Sequence, residues 1–174
     1  MSDPAYGDLE PATKPAREGG LLSVLTRGLA VLGGLLSLSA ATLVTFSITG
    51  RWLGYGGIPG DFEMVQIATA VSVFCFLPLT QWRQGNIMVD SFTTRLSPRT
   101  NRAIDAAWDF LLAAIMGLLA YCLMLGTQEA FVSGLNSMVL GVSLGPVFAV
   151  CATLVAVLTI TATATGLALL RKPS

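Results

Sequence analysis

The sequence predicts an all-α integral membrane protein with four transmembrane helices and a cytoplasmic amphipathic interfacial helix between the second and third spans. The composition sets the class, because 53% of the residues are hydrophobic, only 11% are charged and the mean hydropathy is +0.72. A soluble chain of 174 residues rarely carries so little charge. Long uncharged runs, each sufficient for one crossing of a hydrocarbon core about 30 Å thick, give the number of spans.

The chain begins with a polar, proline-rich tail that ends near residue 27, which we expect to be disordered and cytoplasmic. It lacks the basic start and short apolar core of a secretory signal, so the first apolar segment is expected to be retained. That segment, 28–49, is the first predicted span. Its small residues at Gly33, Ser37 and Ala41 would let another helix approach closely.

The second predicted span covers about 62–82 and follows a glycine-rich connection at 54–60. Asp61 is placed to cap this helix, and Glu63 falls in its first turn, where the helix dipole favours a carboxylate. Pro78 removes one backbone hydrogen bond near the other end. We therefore expect a kink or a local loosening there.

The segment 86–102 is too polar to cross the membrane. Val89, Phe92 and Leu96 recur at helical spacing among polar residues, which predicts an amphipathic helix on the membrane surface. The next helix is expected to start at Pro98, the residue type that best suits a first helical position.

The third predicted span covers about 106–127. The uncharged run 130–170 is about twice the length that one helix needs, so it must be divided. Glycines, an asparagine and a proline favour a loop or a re-entrant apolar segment at 132–144, followed by the fourth span at about 146–170 and a short cytoplasmic tail at 171–174. The membrane domain as a whole is 28–170.

The positive charges predict the orientation. Of the ten Lys and Arg residues, only Arg51 falls on the side that holds the 51–61 and 128–145 loops. The positive-inside rule therefore predicts that both termini and the amphipathic segment are cytoplasmic.

Few residues suggest catalysis. There is no histidine, which argues against a haem ligated by histidine and against a metal site built on it. Cys75, Cys122 and Cys151 lie far apart in apolar runs and are interpreted as small apolar residues. No phosphate-binding or metalloprotease motif is present, and the net charge of zero suggests no nucleic acid partner. We predict no enzyme activity and neither cofactor nor metal, leaving a membrane-embedded redox enzyme and an autonomous channel as alternatives.

The ionisable residues near the predicted spans lie close to span ends, away from the middle of the membrane, where a charge usually marks a transport pathway. Arg51 and Glu63 flank one external loop and could form an ion pair. Arg102, Asp105 and Asp109 form a charged collar on the third helix, which either solvates the helix end or docks a partner.

Arg51 after the first span, Glu63 at the start of the second, and an Arg-x-Gly-x-Ile-x-Val-Asp exit from Arg83 to Asp90 together resemble one family. That family is the small membrane subunit of the tripartite ATP-independent periplasmic (TRAP) transporters, of the DctQ type. The resemblance runs from about Arg27 to Leu170. Asn86 departs from it, because the family typically has histidine at that position, and Leu77-Pro78-Leu79 stands where small residues are usual.

The resemblance implies a small accessory subunit in the bacterial cell inner membrane. Its partners would be the lipid bilayer, a large membrane permease that carries solute and sodium ions, and a periplasmic solute-binding protein that delivers an organic anion such as a C4-dicarboxylate. The small subunit of a tripartite tricarboxylate-type carrier is the nearest alternative. The candidate structural or docking residues are Arg51, Glu63, Arg83, Asp90, Asp105 and Asp109.

Overall fold

The computed structural model describes residues 20–83 and 98–171, and these residues form four α-helices. Each helix is long and apolar enough to cross a membrane, which confirms the number of spans. The helices are α1 (Leu21–Trp52), α2 (Asp61–Trp82), α3 (Pro98–Ser133) and α4 (Gly145–Arg171).

Two of the helices, α1 and α3, extend well beyond the predicted spans, and α2 and α4 match theirs to within one residue. α1 begins at Leu21 and not near residue 28, and α3 runs from Pro98 to Ser133 and not from 106 to 127. The start of α3 at Pro98 is as predicted. The hydropathy signal ends where charges begin, whereas a helix continues into the interface because its backbone bonds are local. Most of the predicted amphipathic helix, 86–97, lies outside the described residues, so that helix stays a prediction.

The start of α2 corrects one expectation. Asp61 is the first helical residue, and Gly60 is the capping residue, with a φ of 75° in the left-handed region that favours glycine. At the other end, α2 remains helical through the buried Pro78 as far as Trp82.

The helices form two hairpins, α1–α2 and α3–α4, which meet through contacts between α2 and α4. Among the described residues, the extensive helix contacts therefore follow the order α1, α2, α4, α3. We call the end that carries the α1–α2 and α3–α4 connections the loop end, and the opposite end the terminal end.

The α1–α2 contact is built on small residues that recur every seventh position on α1: Thr26, Gly33, Ala40 and Ser47. At its centre, a Cβ atom at position 33 would lie 2.9 Å from Cys75 Cβ and 3.1 Å from the Ser72 carbonyl oxygen. Of the predicted small-residue row, Gly33 packs on α2, whereas Ser37 and Ala41 are exposed in the chain, so the approach of another helix to these two residues stays a prediction. A seven-residue period keeps one helix face on its partner along a left-handed crossing, whereas a four-residue period drifts away from it.

α4 lies between α2 and α3 and is the most buried helix. Small residues line much of this core, including Ala113 on α3 and Ala152 and Ala162 on α4. The alternating threonines of α4 are helical, as predicted, and each donates its hydroxyl to a carbonyl of the preceding turn: Thr159 to Val155, Thr161 to Val157, Thr163 to Thr159 and Thr165 to Ala162.

Candidate functional site

At the loop end, Asp61 organises the connection between α1 and α2. Its Oδ2 atom accepts a hydrogen bond from Ser47 Oγ at 2.5 Å and forms an ion pair with the Arg51 guanidinium. Ser47 Oγ in turn accepts the Ile58 N–H at 3.2 Å. The expected pair of Arg51 with Glu63 was therefore wrong, because Asp61 at the start of α2 lies closer to the last turn of α1.

Glu63 instead binds the connection between α3 and α4. Its Oε1 atom accepts the Val139 N–H at 2.9 Å, and its Oε2 atom accepts the Leu140 N–H at 3.0 Å. The Leu140 side chain lies over Gly60, and a Cβ atom there would come within 2.7 Å of Leu140 Cδ2. One carboxylate thus joins the two hairpins of the fold, because each of its two oxygen atoms accepts one of two adjacent backbone N–H groups.

The connection that Glu63 holds is a short β-like loop. Ser137 N–H donates to the Val142 carbonyl at 2.9 Å, Leu144 N–H donates to the Leu135 carbonyl at 3.0 Å, and Gly141 has a φ of 65°. Most of its apolar side chains point outwards, with Met138 99% exposed, whereas Leu140 packs on Gly60. The sequence predicted a loop or a re-entrant apolar segment at 132–144, and the structure has a loop that begins after α3 ends at Ser133.

At the terminal end, a buried polar cluster joins three helices. The Gln81 side-chain amide, at the end of α2, donates to Asp109 Oδ1 on α3 at 2.7 Å and to Thr165 Oγ1 on α4 at 3.2 Å. All three side chains are buried. Close packing of α3 on α4 continues beside them, since a Cβ atom at Gly166 would lie 3.2 Å from Asp109 Cβ. Asp109 therefore lies buried in the helix interface, in contact with α2 and α4.

Of the three remaining candidate residues, two are described by the structure and one is not. Arg83 is exposed just after α2, and Asp105 is half-buried on α3. Asp90 lies outside the described residues, as does the rest of the exit motif after Arg83. Sequence reasoning missed Gln81 and Thr165, whose only signal is a polar residue in an apolar helix.

Within residues 20–83 and 98–171, no three His, Cys, Asp or Glu side chains come together in a way that could hold a metal ion. Cys75 and Cys151 are buried and Cys122 is exposed, all as free thiols. In these clusters, the side chains of Asp61, Glu63 and Gln81 join helices and loops.

Four long apolar helices, tied by interhelical polar contacts at both ends, define a small multi-pass helical membrane protein. The chain belongs to the family described as tripartite ATP-independent periplasmic transporters, DctQ component, whose model matches residues 40–172. It is thus an inner-membrane protein and a TRAP transporter small subunit, as the resemblance implied, and its family is one of transporter subunits and not of enzymes. No curated protein matches the chain, and no solved structure does.

Proposed function

We propose that this chain is the scaffold subunit of a sodium-dependent TRAP transporter and does not itself bind the solute. In this proposal a separate large permease carries the solute and the sodium ions, and a periplasmic solute-binding protein delivers an organic anion such as a C4-dicarboxylate. Family membership supports the transport system. The internal packing of the four helices supports the division of labour.

The observation that carries the scaffold role is how the polar groups between helices are used. Gln81 donates to both Asp109 and Thr165, and the α4 threonines donate to carbonyls of their own helix. The central contact of α1 with α2 is closed by Gly33 against Cys75. A solute pathway needs polar groups directed into an open cavity. The described helix interfaces instead support a solid structural unit.

We further propose that both termini are cytoplasmic, as the distribution of Lys and Arg supports. The Arg51–Asp61 pair and Glu63 would then face the periplasm, and the Gln81–Asp109–Thr165 cluster would lie near the cytoplasm. Arg83, Asp90 and Asp105 are docking candidates on that cytoplasmic side.

Single cysteines in a background without native cysteines test this orientation. Tyr55 is 88% exposed in the α1–α2 connection, so Tyr55→Cys in spheroplasts should react with a membrane-impermeant maleimide, whereas Ser174→Cys should react only after lysis. The opposite labelling pattern would invert the topology.

The scaffold role is tested by purifying the tagged chain in mild detergent from its native membrane and identifying what accompanies it by mass spectrometry. We expect a large polytopic permease in about equal amount. Deleting the small subunit should then abolish sodium-driven uptake, while the sequence of the solute-binding protein sets which anion is taken up. A stable, monodisperse chain recovered alone would contradict the proposal.

A further inference from the structure

The outer face of α3, which points away from α4, is an exposed surface that carries a tyrosine in its middle. This face consists of residues that recur at helical spacing: Ala107, Leu111, Ala114, Leu118, Tyr121, Leu125, Gln128 and Val132. Tyr121 is 61% exposed and, within the described residues, its hydroxyl makes no hydrogen bond. Of the four candidate spans, α3 has the smallest share of its apolar window buried.

The depth of Tyr121 is unusual for a tyrosine that faces lipid. The uncharged part of α3 runs from Phe110 to Gln128, and Tyr121 lies close to its midpoint. The nearer end, Gln128, is about 10 Å further along the helix. Helical side chains lean towards the helix N-terminus, so the phenol of Tyr121 leans away from that nearer end and towards the middle of the bilayer.

A hydroxyl held in hydrocarbon without a partner is unfavourable, and lipid-facing tyrosines are normally found at the interface, where their hydroxyl reaches water. Tyr121 has an apolar body suited to helix packing and a polar tip that needs an acceptor. Both requirements are met by a protein helix and not by lipid tails.

The outer face of α1, at the opposite edge of the helix row, has no such requirement. Its hydroxyl groups are bonded within the helix: Ser39 to the Leu36 carbonyl, Thr42 to Leu38, Thr45 to Ala41 and Thr49 to Thr45. Its exposed aromatic residue is Phe46, which is 70% exposed and has no polar atom. This face suits lipid as it stands.

We propose that the outer face of α3 is the surface that docks on the large permease, against a transmembrane helix that offers a hydrogen-bond acceptor to Tyr121 near mid-membrane. The outer face of α1 remains exposed to lipid. This inference rests on the scaffold role proposed above and assigns the face through which it acts. The contact combines close packing of apolar side chains with one interhelical hydrogen bond, the combination that holds helices together in a bilayer.

Site-specific photocrosslinking in the native membrane tests the assignment, with a benzophenone amino acid in place of Tyr121 and, as the matched control, in place of Phe46. Both positions are exposed aromatic residues on outer faces, so incorporation should disturb them equally. We expect a crosslink to the large permease from position 121 and none from position 46. A crosslink from position 46 and not from 121 would overturn the proposal, and so would a crosslink from 121 to a second copy of this chain.

The hydroxyl is tested separately by Tyr121→Phe, with Thr42→Val as the control that removes a hydroxyl already bonded to its own helix. In a detergent in which the complex is only partly retained, Tyr121→Phe should lower the amount of co-purified permease by roughly threefold, the usual effect of one interhelical hydrogen bond in a membrane. Thr42→Val should leave it unchanged. If the unsubstituted chain recovers the permease but position 121 gives no crosslink, the docking face is wrong while the scaffold role stands. If the permease is never recovered, the scaffold role itself fails.

Discussion

Replacing Gly33 by alanine should separate α1 from α2, and the chain provides its own control one residue away. The added Cβ would lie 2.9 Å from Cys75 Cβ, against an ordinary carbon–carbon contact of about 3.5 to 4.0 Å. The nearest obstacles are a Cβ atom and a backbone carbonyl, which cannot rotate away as the end of a long side chain could. At Gly34, by contrast, an added Cβ meets nothing within 4 Å.

The size of the effect follows from two opposing terms. Overpacking a tight contact costs about 1 to 3 kcal/mol. Replacing glycine by alanine inside a helix gains up to about 1 kcal/mol, and this gain applies to both positions. The free energy of unfolding of Gly33→Ala should therefore fall about 1 to 3 kcal/mol below that of Gly34→Ala, which corresponds to a melting temperature roughly 2 to 12 °C lower.

The assay uses the native thiols. In a Cys122→Ser background, the two remaining cysteines, Cys75 and Cys151, are buried and should react with a thiol-sensitive dye only when the helices separate. Heating the purified chain in detergent with this dye gives the melting temperature of each variant. If Gly33→Ala melts at the same temperature as Gly34→Ala or above it, the close α1–α2 contact at Gly33 is not a determinant of stability.

Two further predictions concern the polar contacts at the terminal end and at the loop end of the four helices. Thr165→Val should lower the free energy of unfolding by about 1 kcal/mol in the same assay, because it removes an acceptor of the Gln81 amide. The control Thr163→Val removes only a hydroxyl bonded within α4 and should be nearly neutral. Equal effects of the two variants would mean that the Gln81–Thr165 contact contributes nothing to stability. Glu63→Ala should speed hydrogen exchange at the Val139 and Leu140 amides, measured by mass spectrometry of the peptide that contains them, while Glu129→Ala should leave that peptide unchanged. Unchanged exchange in Glu63→Ala would show that the loop holds its conformation without the carboxylate.

The spans could be predicted from the sequence because hydropathy is a local property and a helix satisfies its own backbone. The partners of individual polar residues could not. Arg51 has two carboxylates nearby in sequence, Asp61 and Glu63, and the choice between them depends on where the α3–α4 connection lies. That connection engages Glu63, so Asp61 is the carboxylate that meets Arg51.

Contacts between helices that are distant in sequence could not be predicted either. Gln81 and Thr165 are 84 residues apart, and nothing in either local sequence indicates the other. The small residues of α1 fit both a four-residue and a seven-residue row, and only the partner helix selects the one that contains Gly33, Ala40 and Ser47. Asp109 was identified as a candidate because it is charged, but its burial between α2 and α4 requires the fold.

The position of α2 explains how two hairpins can act as one rigid unit. In its first turn Glu63 binds the α3–α4 connection, and in its last turn Gln81 binds α3 and α4. These two attachments are about 27 Å apart along the helix, close to the thickness of the hydrocarbon core. A helix with polar attachments near both ends resists tilting and rotation more strongly than one held by apolar contact alone. α1 is carried on this fixed helix through its small-residue contact, so the outer faces of α1 and α3 keep a constant relation to each other. The proposed scaffold role requires that constancy, because a subunit that docks a partner on one outer face must keep that face in place.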